Sequence, residues 1–334
     1  MDNNTYKSIF IVGSSRSGTT MLSRMLGSHS QIHTFEELHF FNLLNAKDQS
    51  AKSLIKVLNR LFEVERNGSF FDDSDGFQYE AESLDMVNNL LHKKSVRNLF
   101  EEFVFYEAGK NGKITPCEQT PMNLFYIEDI RDSFTNPAFI NIVRDPRAVL
   151  ASQKNRWKVG ELGNRHIPKN VINRLRYTYD PILHSILWKR SIRRSMKYSP
   201  DKDFYNVKFE SVLKKSENTL KDIFAFLKID YQSGVSKTVK KGSSHFKEGD
   251  NNKSIENNLE IWRDVLTNSE VYICEMICKS EMLAMGYEFK GARANFFIVA
   301  VYVLMAPFKG FAALFLNIKN HSSILSAVYR RIKK

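Results

Sequence analysis

Gly13-Ser14-Ser15-Arg16-Ser17-Gly18-Thr19-Thr20 has the spacing G-x-x-x-x-G-x-T, in which a glycine turn and a helix N-terminus bring backbone N–H groups onto a phosphate. A Walker loop has Lys directly after its second glycine. Here that position is Thr19, and the cation sits inside the loop as Arg16. The loop is therefore expected to hold phosphate without being built as an ATPase. One helix further on come Glu36 and Glu37, with His39 beside them. A carboxylate near a phosphate loop can take the proton of an attacking hydroxyl. An N-cap at Thr34 would explain the same two acids by the helix dipole alone. A second cation, Arg144, ends an apolar run and precedes Asp145-Pro146, with Ser152 further along the same stretch.

The elements that must position these residues can be read locally. Ile9-Phe10-Ile11-Val12 has the composition of a buried parallel strand, and Thr19 onward that of a helix with Met21, Leu22, Met25 and Leu26 on its core face. Ala138 to Val143 is a second buried strand, after which Asp145 can cap and Pro146 can open a helix. In open parallel sheets ligands gather at the carboxyl edge, so the loop and Arg144 are expected together there, with Ser152 about two turns into its helix looking back. Residues 40 to 110 read as a helical insertion that shapes an acceptor pocket, with Leu54, Val57, Leu58 and Leu61 in one helix and Leu84, Val87, Leu90 and Leu91 in another. The acidic stretch Asn67 to Gly76 lacks EF-hand spacing and reads as a solvated loop. Met122 to Phe134 is expected to be helical behind Pro121, and 174 to 198 to form one long helix with a basic, solvated face.

A chain of 334 residues with 26% charged and 43% hydrophobic residues can bury a sizeable core, which argues against a disordered or fibrous protein. The net charge of +12 favours anionic partners. The three cysteines match neither a zinc site nor a disulfide framework and are expected to be reduced thiols. The N-terminus shows no signal-peptide pattern, so a cytoplasmic location is expected. Ala294 to Ala306 is apolar except for Asn295, shorter than the roughly 20 residues of a bilayer span, and is followed by Pro307-Phe308-Lys309-Gly310 and a second apolar run. A hairpin-like or interfacial anchor is expected, aided by the basic end Tyr329 to Lys334; packing on the domain or a dimer contact is the alternative. The division is thus 1–290 as one α/β domain and 291–334 as a tail.

In their order these motifs resemble the PAPS-dependent sulfotransferases (PAPS is 3′-phosphoadenosine 5′-phosphosulfate), a group that includes tyrosylprotein and carbohydrate sulfotransferases. The likeness extends through Val207 to Val212, Ile223 to Ile229, Trp262-Arg263 and Met285-Gly286-Tyr287, covering roughly residues 8 to 288. Ser243-Ser244-His245-Phe246 is similar to a later loop near the nucleotide. The resemblance implies a P-loop-like three-layer α/β fold with a central parallel sheet, PAPS as co-substrate and no metal. It implies that Arg16, Ser17, Gly18, Thr19 and Thr20 grip the 5′-phosphosulfate and that Arg144 and Ser152 grip the 3′-phosphate. It makes Glu37 the general base, with Arg16 and His39 at the reacting group. His39 stands where the tyrosylprotein branch has arginine, and Gln119 where Lys-Thr-Pro is common, so charge stabilisation would move to Arg16, the loop amides and His39.

The activity so implied is sulfuryl transfer from PAPS to a hydroxyl acceptor, with a glycan or glycolipid preferred over a tyrosine. Such an enzyme would be peripheral to the inner face of a membrane through its tail, with no nucleic-acid partner. A P-loop kinase or NTPase, and a non-catalytic membrane-associated nucleotide-binding protein, are the alternatives.

Overall fold

The computed structural model describes residues 7–44, 50–68, 78–93, 98–158, 169–236 and 259–318. Its elements run β1 (Ser8–Gly13), α1 (Thr19–Gly27), β2 (Ile32–Thr34), α2 (Phe40–Leu43), α3 (Ala51–Asn67), α4 (Glu80–Lys93), α5 (Leu99–Lys110) and β3 (Thr115–Glu118). Then follow α6 (Ile127–Ser133), β4 (Pro137–Val143), α7 (Pro146–Lys154), α8 (Lys169–Tyr177), α9 (Pro181–Tyr198) and β5 (Phe204–Lys208). The last are α10 (Phe209–Lys214), α11 (Ser216–Leu227), α12 (Trp262–Val265), α13 (Asn268–Ala284) and α14 (Phe296–Ile318). The strands form one parallel sheet in the order β2-β3-β1-β4-β5, with Ile9 opposite Cys117 and Ala138, and Ile142 opposite Val207. This is the expected α/β fold with a central parallel sheet.

Both faces of β1 are covered, which is why its sequence is an unbroken apolar run. Phe10 and Val12 point to the side of α3, α5 and α6, where Phe10 meets Phe134 edge-on at 4.8 Å and Phe139 at 5.8 Å. Ile9 and Ile11 point to the side of α1, α10 and α11. Residues of the 40–110 segment thus cover one face of the sheet itself. A third apolar cluster joins α7 to α9, α12 and α13 through Val149, Trp188, Trp262 and Cys274. Arg147 locks the same block, donating to Asp145 and Glu275 with its guanidinium 4.3 Å from the Trp262 ring.

Several local expectations are corrected. Thr34 ends β2 and caps no helix: Glu36 and Glu37 lie in an irregular stretch before α2, so no first-turn dipole accounts for them. The basic stretch 174–198 is two helices, because Asp180 caps α9 through Ile182 N and Leu183 N and Pro181 occupies its first turn. Residues 121–125 form a 3₁₀ turn ahead of α6. The tail has no break at Pro307, which lies inside α14; Ala306, Lys309 and Gly310 seat that part of the helix against the domain. All three cysteines are unbonded and buried. The stretch 69–76 of the acidic loop, Ser243 to Phe246 and Tyr329 to Lys334 lie outside the described residues.

Candidate active site

The loop between β1 and α1 is shaped by close approach and positive φ. Gly13 has φ 150°, and a Cβ there would lie 2.6 Å from the Ile142 carbonyl oxygen. Gly18, at φ 104°, precedes α1 with no side-chain cap and leaves no room for a Cβ against the Phe209 ring. Arg16 itself takes the left-handed conformation at φ 71°, a cost of about 1–3 kcal/mol that functional loops characteristically hold. The first turn of α1 contains no acid, so its amides are open to an anion. Ser17 is fully buried, and its hydroxyl has no hydrogen-bond partner among the described residues.

The carboxyl edge of β4 meets this loop as expected. Arg16 Nε donates to Ser152 Oγ at 3.0 Å, joining residues 136 apart in sequence. Arg144 is 7% exposed, donates through Nη1 to the Arg16 carbonyl at 3.2 Å and lies 4.3 Å from the Phe209 ring centre. Its carbonyl accepts from Trp188 Nε1 at 3.0 Å. Asp145 caps α7, and Glu210, which accepts from the Asp145 amide at 3.0 Å and from Tyr287 OH at 3.0 Å, fixes the turn. Burial lowers the Arg144 pKa, with Glu210 and Asp145 opposing. Arg144 Nε is buried without a partner among the described residues. Two buried donors lacking partners, Ser17 Oγ and Arg144 Nε, beside open helix amides, fit an anionic ligand with more than one phosphate.

Glu37 and His39 pair at 3.2 Å, the Glu37 side chain 42% exposed. Burial pushes the Glu37 carboxyl up, but the His39 hydrogen bond and charge, followed by the charges of Arg156 and Arg16, outweigh it and leave its pKa below the ordinary value. It is ionised at neutral pH, as a base must be. The Arg16 guanidinium is brought down to about 10 by burial and by Arg156 and Arg144, while Glu37 opposes. Thr19 and Thr20 begin α1 as expected, and Gln119 is buried at the end of β3 with Oε1 lacking a partner among the described residues. Gln119, Thr20, Ser23, Arg24 and Glu36 line a cavity of about 240 Å³.

Two further residues belong to this site. Glu118, 2% exposed, accepts from Leu38 N at 3.3 Å, Thr120 N at 3.0 Å, Asn123 Nδ2 at 2.6 Å and the Thr120 hydroxyl. Thr120 Oγ1 in turn accepts from His39 N at 3.3 Å, so a buried carboxylate holds the backbone directly after Glu37. Arg156, in a short 3₁₀ turn after α7, acts electrostatically on both Glu37 and Arg16. Its one sequence signal is its place a helical turn beyond Ser152. Among the described residues no group of three His, Cys, Asp or Glu is arranged to hold a metal ion.

The sequence pattern of the Sulfotransferase family matches residues 8–233. The chain belongs to the sulfotransferase family. Its donor is accordingly PAPS, and the kinase and NTPase alternatives fall away. The fold is similar to that of the sulfotransferase domain from the curacin biosynthetic pathway, at 18% identity and a TM-score of 0.52, over 84% of this chain and 98% of that one. It is likewise similar to the sulfotransferase domain of the olefin synthase of Synechococcus PCC 7002, at 16% identity and a TM-score of 0.53, over 86% of this chain and 98% of that one. Among individually curated proteins none matches.

Proposed function

We propose that this sulfotransferase acts on a hydroxyl of a glycan or glycolipid, with Glu37 as general base and the Arg16 loop and Arg144–Ser152 edge as the two grips on the donor. The observation that carries the reading is the 3.0 Å bond between Arg16 and Ser152, which brings the two phosphate-binding motifs into one site with Glu37 in electrostatic reach. PAPS supplies the sulfuryl group and leaves as PAP (adenosine 3′,5′-bisphosphate).

The α1 amides, Ser17, Thr19 and Thr20 would hold the 5′ end, and the inward guanidinium of Arg144, with Ser152, the 3′-phosphate. Transfer of this kind spreads charge over equatorial oxygens, so fixed cations and positioning do most of the work. Arg16 and Arg156 supply the charge that the usual lysine would have given at Gln119. Glu37 takes the acceptor proton, and His39 pairs with the carboxylate and holds it. A glycan is favoured because the cavity beside Glu36 is lined by hydroxyl, amide, carboxylate and guanidinium groups, the set that hydrogen-bonds to sugar hydroxyls. The division into a domain over 1–290 and a membrane-seeking tail over 291–334 belongs to the same reading, and places the enzyme at the inner face of a membrane.

The test is transfer from sulfur-labelled PAPS to a panel of glycans, glycolipids and tyrosine peptides. Labelling of a sugar acceptor that is lost in Glu37→Gln supports the reading. PAP binding with no transfer to any acceptor, unchanged by that substitution, would overturn it in favour of a non-catalytic nucleotide-binding protein. Transfer only to tyrosine would overturn the acceptor.

A further inference from the structure

Helix α14 has two unlike faces. Its inner face is tied to the domain: Ala306 is buried, Tyr302 OH donates to Glu270 at 3.4 Å, and Lys309 Nζ donates to the Tyr179 carbonyl at 2.8 Å and lies 3.9 Å from Asp180 Oδ2. Its outer face presents Phe296, Phe297, Val303, Leu304, Phe308 and Phe311, each between 56% and 78% exposed. The one charged residue of the helix, Lys309, is turned inward. An apolar strip this long is unusual on a protein that stays in water. No helix of the described residues is long and apolar enough to cross a membrane.

Charge identifies what the strip meets. From residue 289 to the end the sequence holds eight Lys or Arg and no Asp or Glu. A second copy would carry the same positive charge and repel, whereas an anionic lipid surface complements it. An apolar helix face flanked by basic residues has the composition of an element that lies in the headgroup layer.

The helix is tied to two elements of the domain, α9 and α13. Lys309 contacts the residues that start α9, and Gly310 packs toward Leu183 in the first turn of that helix. We propose that α14 docks flat on an anionic bilayer and so holds the domain, to which its inner face is tied, at the surface from which a lipid-borne hydroxyl reaches Glu37. The docking part stands on α14 alone; the delivery part rests on the glycolipid-acceptor reading above.

The experiment uses the full chain and its variant F297E/L304E/F308E, sedimented with vesicles of phosphatidylcholine alone or with phosphatidylglycerol added. Salt is about 0.1 M or about 1 M, between which the screening length falls from about 10 to about 3 Å. Thermal stabilisation by PAP is measured on the same samples. Wild type should sediment with the anionic vesicles at least about tenfold more than with neutral ones and be partly released by salt. The variant should lose that binding while keeping the full PAP shift, which shows that it is folded with its donor site intact. Absence of wild-type binding to anionic vesicles, or equal binding by the variant, overturns the docking. So does a wild-type dimer that falls apart in the variant, since a second copy then covers the strip. Vesicle binding with no PAP shift supports the docking and refutes the donor site, so the two failures are separable.

Discussion

Replacing Glu118 with Gln should remove a step in the pH dependence of stability. Burial raises its pKa from the ordinary 4.5 to about 7, against the pull of the Thr120 and Leu38 hydrogen bonds and the charge of His39. Between those two values the folded protein holds a proton that the unfolded chain has released, so stability falls as pH rises through the window, and above it the loss is complete and no longer changes with pH. At about 1.4 kcal/mol for each tenfold change in proton affinity, the step is about 3 kcal/mol. The assay is urea unfolding of wild type and Glu118→Gln across the window. Lost hydrogen bonds shift the variant by a constant amount. The difference between the two proteins should nevertheless move by about 3 kcal/mol in the variant's favour from acid to neutral pH. Parallel profiles would refute the argument, for they would mean that Glu118 titrates alike folded and unfolded. Because Glu118 holds the backbone after Glu37, kcat should also fall, by up to about 10²-fold for a displacement of about 1 Å, with little change in PAP binding.

Glu37→Gln should lower kcat by about 10²–10⁴-fold with the PAP thermal shift intact, and the acid limb of the wild-type kcat/KM profile should lie below the ordinary carboxylate range, because His39, Arg156 and Arg16 hold the carboxylate ionised. Arg144→Ala should abolish the preference for PAP over ADP in thermal-shift titrations; a charged hydrogen bond worth about 1.5–3 kcal/mol corresponds to about 10–100-fold in affinity. Gly18→Ala should lower Tm, as a methyl at φ 104° would be driven into the Phe209 ring that backs Arg144, at about 1–3 kcal/mol; an unchanged Tm in calorimetry would contradict the packing described.

The sequence alone determined the parts whose causes are local. The run Ile9 to Val12, the two glycines and the apolar face of α1 specify strand, turn and helix within a few residues. Asp145 and Pro146 start α7 by capping and fixed φ, and Ser152 falls two turns on because the helix repeat puts it there. Local reasoning left an alternative open, or failed, where a second start signal or a partner distant in sequence overrode the local pattern. Thr34 could have capped a helix, yet pairing with β3 drew it into a strand. The basic stretch 174–198 has a continuous helical period, but Asp180 and Pro181 start a new helix inside it. Pro307 has the form of a breaker, and packing on α9 and α13 carried the helix through it.

What only the tertiary structure decided is which distant residues share the site. The sheet order puts β1 between β3 and β4, so the carboxyl ends of strands far apart in sequence converge on one loop. That placement brings Arg16 to Ser152, buries the Arg144 guanidinium against Phe209, and hangs the Glu37–His39 stretch on Glu118. Arg156 and Glu118 carry little local pattern, for a cation in a turn and an acid at a strand end are ordinary in sequence. Their roles come from burial and from neighbours supplied by other strands, and neither is encoded within a window of a few residues.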